Sequence, residues 1–245
     1  MSTPPPVSAG IGPDEAPGVL RYATLEAARR GATLRLVHAY TVPPATVGAM
    51  YGYDFPASFR EAGQQLLDRS AAIVSHLEPD VRVEQVLVRG TPARTMEDES
   101  RLAQLVVVGG DTDKPLLMRL YEGRTASHLA RNAHCPAVIV PADWSATPVG
   151  GDVLVLVDHQ QPPDEATIDF AADHARRLRC EVIVVDIGPR ARQVVHDAAA
   201  TDESGLVVVG RDSHPGRSHL AHLLDAPTSC PIAVVPPSAP SVRRT

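Results

Sequence analysis

Leu105-Val106-Val107-Val108-Gly109 returns downstream as Leu206-Val207-Val208-Val209-Gly210, and this repeated run decides the fold. An unbroken apolar run closed by glycine suits a strand buried on both faces, the form taken by parallel strands joined through helical crossovers. Other strings repeat around it in the same order. Ser127-His128-Leu129-Ala130 returns as Ser218-His219-Leu220-Ala221. Cys135-Pro136 with Ala137-Val138-Ile139-Val140-Pro141 returns as Cys230-Pro231 with Ile232-Ala233-Val234-Val235-Pro236. Upstream, Ala28-Arg29-Arg30 is matched by Ala175-Arg176-Arg177. One unit therefore occurs twice. The second copy is abridged: the stretch from Arg177 to Leu206 is too short by one strand and one helix, and Gly210 to Ser218 is clipped relative to Gly109 to Ser127.

Working outward, strands are expected at Val7–Gly10, Leu34–Ala39, Val83–Val88, Leu105–Gly109 and Ala137–Val140 in the first copy. The second copy offers strands at Val153–Val157, Val182–Ile187, Leu206–Val209 and Ile232–Val235. Helical spacing predicts Val19–Arg30, with Leu20, Ala23 and Ala27 on one side and Gly31 as its C-cap. Further helices are expected at Ser58–Leu77, from Pro92 behind Thr91 as N-cap, and from about Gly123. The second copy adds Glu165–Leu178, Ala191–Ala200 and Ser218–Leu224. The fold class is α/β: two tandem Rossmann-like domains with parallel sheets, joined by right-handed crossovers, with ligands expected at the carboxyl ends of the strands. Residues 1–141 form the first domain and 152–236 the second. Turn residues Pro141, Pro148, Gly150 and Gly151 place a linker at 142–151. The tail at 237–245, rich in Pro and Ser, is expected to be disordered.

The composition narrows the functions. The 245 residues hold 23 Lys+Arg and 29 Asp+Glu, a formal charge of −6. No clustered positive charge offers itself to phosphates, which argues against nucleic acid as a partner. The longest apolar stretch, Val153–Val157, falls far short of the roughly 20 residues that span a bilayer. With neither a basic n-region nor an apolar h-region at Met1–Pro6, no signal peptide is visible. Three cysteines, odd in number and far apart, make no disulfide framework. A cytoplasmic location follows as the expectation.

These pieces, in this order, resemble the universal stress protein family. The stretch from Glu26 to Ala39 looks like that family's first helix and second strand; Gly90-Thr91-Pro92, Leu105–Gly109 and the Cys-Pro strands look like its later half. The resemblance implies a tandem member, a sheet order of 3-2-1-4-5 in the first copy, and often a dimer made across the edge of the last strand. It also implies ATP as a candidate ligand, held by a glycine loop after the fourth strand and by an Asp ending the first. Glycines let backbone N–H groups approach phosphates, and a closing Gly-Ser or Gly-Thr opens a helix whose positive end faces the anion.

Both copies depart from that pattern. In the first, Gly110 and Gly123 stand at the outer glycines, Asp113 replaces the middle one, and Arg124 stands where Ser or Thr belongs. Thr125 supplies a hydroxyl one residue late. Lys114, Arg119 and Arg124 either grip an anion or face water. Ile11 follows the first strand where the family has Asp, and Ala39 marks the end of the second strand. The second copy keeps the acid as Asp158, which either holds a ribose or ties down its own loop. Its clipped loop leaves Gly210, Ser213, Gly216 and Ser218 as what remains of a phosphate cradle. Cys135 and Cys230 are either a redox pair or small buried hydrophobes, the second being the commoner case. Asp212, His214, His219 and His222 show no tight metal-ligand pattern.

The expected protein is a non-catalytic, cytoplasmic stress-response protein whose nucleotide binding is weakened or lost. The alternative is an ATP or AMP sensor using the loop at 110–125. A hydrolase or transferase would need a positioned base and metal ligands, for which only scattered Asp and His are available. Ala137–Val140 and Ile232–Val235 are expected to pair within one chain, and whole chains are candidates for homo-oligomers.

Overall fold

The computed structural model describes residues 4–13, 17–42, 55–110, 125–141, 144–145, 151–157, 163–186, 204–211 and 230–238. The first unit comprises β1 (Val7–Gly10), α1 (Pro17–Arg30), β2 (Leu34–Tyr40), α2 (Phe55–Leu77), β3 (Val83–Arg89), α3 (Pro92–Glu99), β4 (Leu105–Gly109), α4 (Thr125–Asn132) and β5 (Ala137–Val140). The second comprises β6 (Asp152–Val157), α5 (Glu165–Leu178), β7 (Val182–Asp186), β8 (Ser204–Gly210) and β9 (Ile232–Val235). The expected helices at Ala191–Ala200 and Ser218–Leu224 lie outside the described residues, as do the start of the expected helix at Gly123 and the tail from 239.

The local chemistry explains the element ends. Gly31, at φ 58°, closes α1 in the left-handed conformation that glycine adopts without a Cβ penalty. At the corresponding end of α5 the same conformation falls on Arg179, also at φ 58°. Asp164 caps α5 by accepting from the Thr167 amide at 2.8 Å and from its hydroxyl at 2.9 Å. Thr91 does occupy the N-cap of α3 with extended backbone and Pro92 follows as the first helical residue, but its side chain makes no capping hydrogen bond. The helix relies on the fixed φ of Pro92 instead.

The nine strands form one sheet in the order β3-β2-β1-β4-β5-β9-β8-β6-β7. Its first five strands show the 3-2-1-4-5 arrangement, all parallel. In the second unit β6, β7, β8 and β9 repeat the pairings of β1, β2, β4 and β5, with no counterpart of β3 among the described residues. Equivalent backbone bonds recur: the amide of Val106 donates to Pro136 and that of Val207 to Pro231, each at 3.0 Å. Among the described residues the only antiparallel pairing joins β5 to β9, in the register Ala137↔Val234, Val138↔Ala233 and Ile139↔Ile232.

Because the central strands carry Val, Leu and Ile on both faces, each face of the sheet has its own core. One face gathers Leu20, Leu34, Leu67, Leu105 and Val138 with Val155, Leu206 and Val235. The other gathers Val37, Met96, Val108 and Leu129 with Leu156, Val207 and Val234. Both cores run across the β5–β9 seam without a break. Burying a Leu such as Leu206 is worth roughly 1.5–3 kcal/mol. Trp144, within the expected linker, extends the first core by an edge-on contact with Tyr22, ring centroids 5.3 Å apart.

Two helices meet over the seam. His174 of α5 is buried against Glu26 of α1, with Nδ1 3.6 Å from Oε2. Glu26 also accepts from Arg29 at 3.1 Å and from Arg30 at 3.0 Å. The Arg30 guanidinium lies 5.9 Å over the Phe170 ring, and Arg177 donates to the Arg29 carbonyl at 3.2 Å. Burial alone would push the Glu26 carboxyl up; His174 and then Arg30 outweigh it and hold the group down at about 2.

Candidate nucleotide site

The strand order reverses between β1 and β4, so their carboxyl ends, with those of β2 and β5, frame the crevice where an α/β sheet takes its ligand. Four backbone positions converge there. Gly10 leads into Ile11, whose amide donates to the Val37 carbonyl at 2.8 Å. Ala39 and Tyr40 close β2. Gly109 and Gly110 follow β4, and the Gly110 amide donates to the Val140 carbonyl at 2.9 Å. Thr125 opens α4 on the far side of the loop.

Of the sequence-predicted site residues, Ala39, Gly110, Thr125 and Gly210 are placed in this way. Asp113, Gly123, Arg124, Asp158, Ser213, Gly216 and Ser218 lie outside the described residues, together with Lys114, Arg119, Asp212, His214, His219 and His222.

The chemistry at the framed positions is apolar and self-satisfied where the resemblance led one to expect a carboxylate. Ile11 is 3% exposed, part of the core rather than the crevice. Its carbonyl accepts a hydrogen bond at 2.8 Å from Nδ1 of His38, which must therefore carry the proton on that nitrogen. His38 was not among the predicted site residues; a lone histidine inside a strand gives no signal in sequence.

In the second unit, Arg211 stands where Gly110 stands in the first. Its amide makes the equivalent bond, donating to Val235 at 2.7 Å, but its side chain leaves the crevice. Nη1 crosses the seam and donates to the carbonyl of Ala133, just past the end of α4, at 2.6 Å. A cation against the carbonyl end of a helix is favourable there. Next to it, Gly210 lies so close to α5 that a Cβ would sit 2.8 Å from the Thr167 hydroxyl. Alignment of the repeats makes Arg211 legible in retrospect, because it follows the second copy's glycine directly.

A second missed feature fixes α4 to α3. Nε2 of His128 donates to Glu97 at 2.7 Å, and Arg94 and Arg101 lie 3.3 Å and 3.6 Å from the same carboxylate. The hydrogen bond from His128 holds the Glu97 carboxyl below the usual carboxylate range. Cys135 and Cys230 are both buried and reduced, with burial pushing their thiols up to about 12 and about 11. Among the described residues, no three His, Cys, Asp or Glu side chains gather as metal ligands.

Against this frame of parallel strands and a glycine-ended β4, the model of the Universal stress protein family matches residues 6–141. The chain belongs to that family. Universal stress protein Rv2005c of Mycobacterium tuberculosis is 28% identical over 170 residues, covering 67% of this chain and 57% of its own. Universal stress protein Rv2623 of the same organism is 39% identical over 84 residues, 34% of this chain and 27% of its own. The chain thus spans little more than half the length of the curated relatives it matches most broadly.

Two solved structures share the fold along nearly the whole chain. A universal stress protein from Archaeoglobus fulgidus DSM 4304 superposes with a TM-score of 0.66 at 10% identity, over 94% of this chain and 96% of that one. The Pseudomonas aeruginosa PAO1 protein PA1789, described as functionally unknown, gives 0.63 at 16% identity, over 95% and 93%. No described helix is long and apolar enough to cross a membrane.

Proposed function

We propose that this universal stress protein is a non-catalytic, cytoplasmic stress-response protein in which two family units form a pseudo-dimer within one chain and nucleotide binding is weakened or lost. The observation that carries the reading is the fate of the two matched ligand positions. Ile11 is buried with its carbonyl taken by His38, and Arg211 is turned away to Ala133. The first unit thereby has an apolar residue at the position that matches the family's Asp, and the second has, in place of a glycine that would let backbone approach a phosphate, an arginine whose side chain is engaged at the seam.

The pseudo-dimer reading rests on the β5–β9 pairing, on cores shared across the seam, and on the Glu26–His174 and Arg211–Ala133 contacts. Native protein purified without added nucleotide, then denatured and analysed by liquid chromatography, tests the ligand side. Less than about a tenth of an equivalent of adenine compound is expected; a stoichiometric amount would overturn the reading. Cutting the chain within residues 146–150 tests the other side. The two fragments are expected to stay together on gel filtration, and their separation would remove the pseudo-dimer.

A further inference from the structure

We propose that the free edge of β7 is a self-association surface, on which two copies of this chain join β7 to β7 in antiparallel fashion. The sheet ends at β3 and at β7, and the two edges differ in kind. β3 carries Glu84 and Gln85, engaged by Arg35 at 3.5 Å and by Gln64 at 2.6 Å, and α2 packs over it. Polar, occupied side chains of this sort blunt an edge. At β7, Val182, Ile183, Val184 and Val185 run without a charged or proline residue. Val182, Ile183 and Val184 are 36%, 40% and 56% exposed.

The cause is the abridgement of the second unit. In the first unit β2 is flanked by β3 and covered by α2; among the described residues β7, its counterpart, has neither neighbour. Val182 and Val184 pair with Val153 and Val155 and so share the sheet face covered by α5. On that helix Ile168 is 37% exposed, on the flank turned away from Phe170 and α1. Ile183 projects from the opposite face, so apolar side chains stand on both faces of the outermost strand among the described residues.

The strand is complementary to itself. Antiparallel pairing centred on Ile183 sets it against its twin and Val182 against Val184 on both sides, β-branched pairs that suit a sheet. In that register Glu181 meets Val185 and Cys180 meets Asp186, so no carboxylate directly opposes another. The chain already completes its sheet by this kind of joint, since β5 and β9 meet antiparallel through short apolar strands. A strand of five residues spans about 17 Å, and its contact falls short of the roughly 1,200 Å² of a stable specific interface, so the dimer is weak and concentration-dependent.

Sedimentation equilibrium of the full chain over a wide concentration range tests this. A reversible monomer–dimer equilibrium is expected. Val184→Lys is expected to raise its dissociation constant more than about tenfold with unchanged circular dichroism. Should that variant unfold, Val182→Thr with Val184→Thr keeps the β-branched shape and is expected to weaken the dimer in the same direction. A chain that stays monomeric throughout, a dimer indifferent to the variants that fold, or a foreign polypeptide held on β7 in the purified protein would each overturn the proposal.

Discussion

Glu26 and His174 come from the first helix of each unit and meet over the seam, 3.6 Å apart and both shut off from water. The contact is too long for a good hydrogen bond, and His174 Nδ1 has no other partner among the described residues. The arrangement is electrostatic: one buried carboxylate faces an imidazole from the other unit and two arginines from its own helix. Desolvated charges of this kind are costly to leave alone, which makes the position sensitive to change.

Stability should therefore depend on acid in a defined window. The folded Glu26 carboxyl sits at about 2, below its ordinary value of 4.5. A depressed carboxyl contributes stability that is fully present above the ordinary value and is lost as pH falls toward the folded one. Urea unfolding between these two pH values should show a loss on the order of 3 kcal/mol attributable to this group. Glu26→Gln should lower stability at neutral pH by about 3 kcal/mol, leaving the buried Arg30 without its counter-charge, and should flatten the acid dependence.

Arg179 should tolerate glycine better than arginine. A side chain in the left-handed region costs roughly 1–2 kcal/mol, and glycine avoids it while gaining freedom in the unfolded chain. Arg179→Gly is expected to raise the unfolding free energy by about 0.5–1 kcal/mol in denaturant titrations. Gly31→Arg, its mirror in the first unit, should lower it by a similar amount.

Arg211→Ala should loosen the seam. The charge-assisted bond to Ala133 is partly buried, and losing it should cost about 1–3 kcal/mol in chemical denaturation. Hydrogen exchange should quicken at the last turn of α4 while the core strands keep their protection.

The thiols should separate by reactivity. Cys180 is only partly buried, whereas Cys135 and Cys230 lie in the core with their ionisation driven to about 12 and about 11. Iodoacetamide on the native protein near pH 8 should label Cys180 alone, and denaturation should expose all three.

Much of the fold was legible because it rests on periodicity. The Val-rich runs, Gly31, Pro92 and the repeated Cys-Pro strands marked strand and helix positions to within a few residues, since buried parallel strands and helix ends have strong local signatures. The site was less legible. Gly110 and Thr125 are reached by setting the sequence against the family's glycine motif and Ala39 as the end of the second strand, but the roles of His38, His128, Glu26 and Arg211 depend on partners far away in sequence. Nothing local in the sequence marks Glu26, which lies buried against His174 of α5. The side chain of Arg211 could be aligned with Gly110, yet its direction toward Ala133 follows from the seam, which no local pattern encodes.

The most direct test of the account is isothermal titration calorimetry of the intact protein with ATP and Mg²⁺. With Ile11 in the core and Arg211 committed to the seam, no saturable heat is expected up to about millimolar nucleotide, the range where binding is worth only about 4 kcal/mol. A stoichiometric isotherm with a micromolar dissociation constant would contradict it.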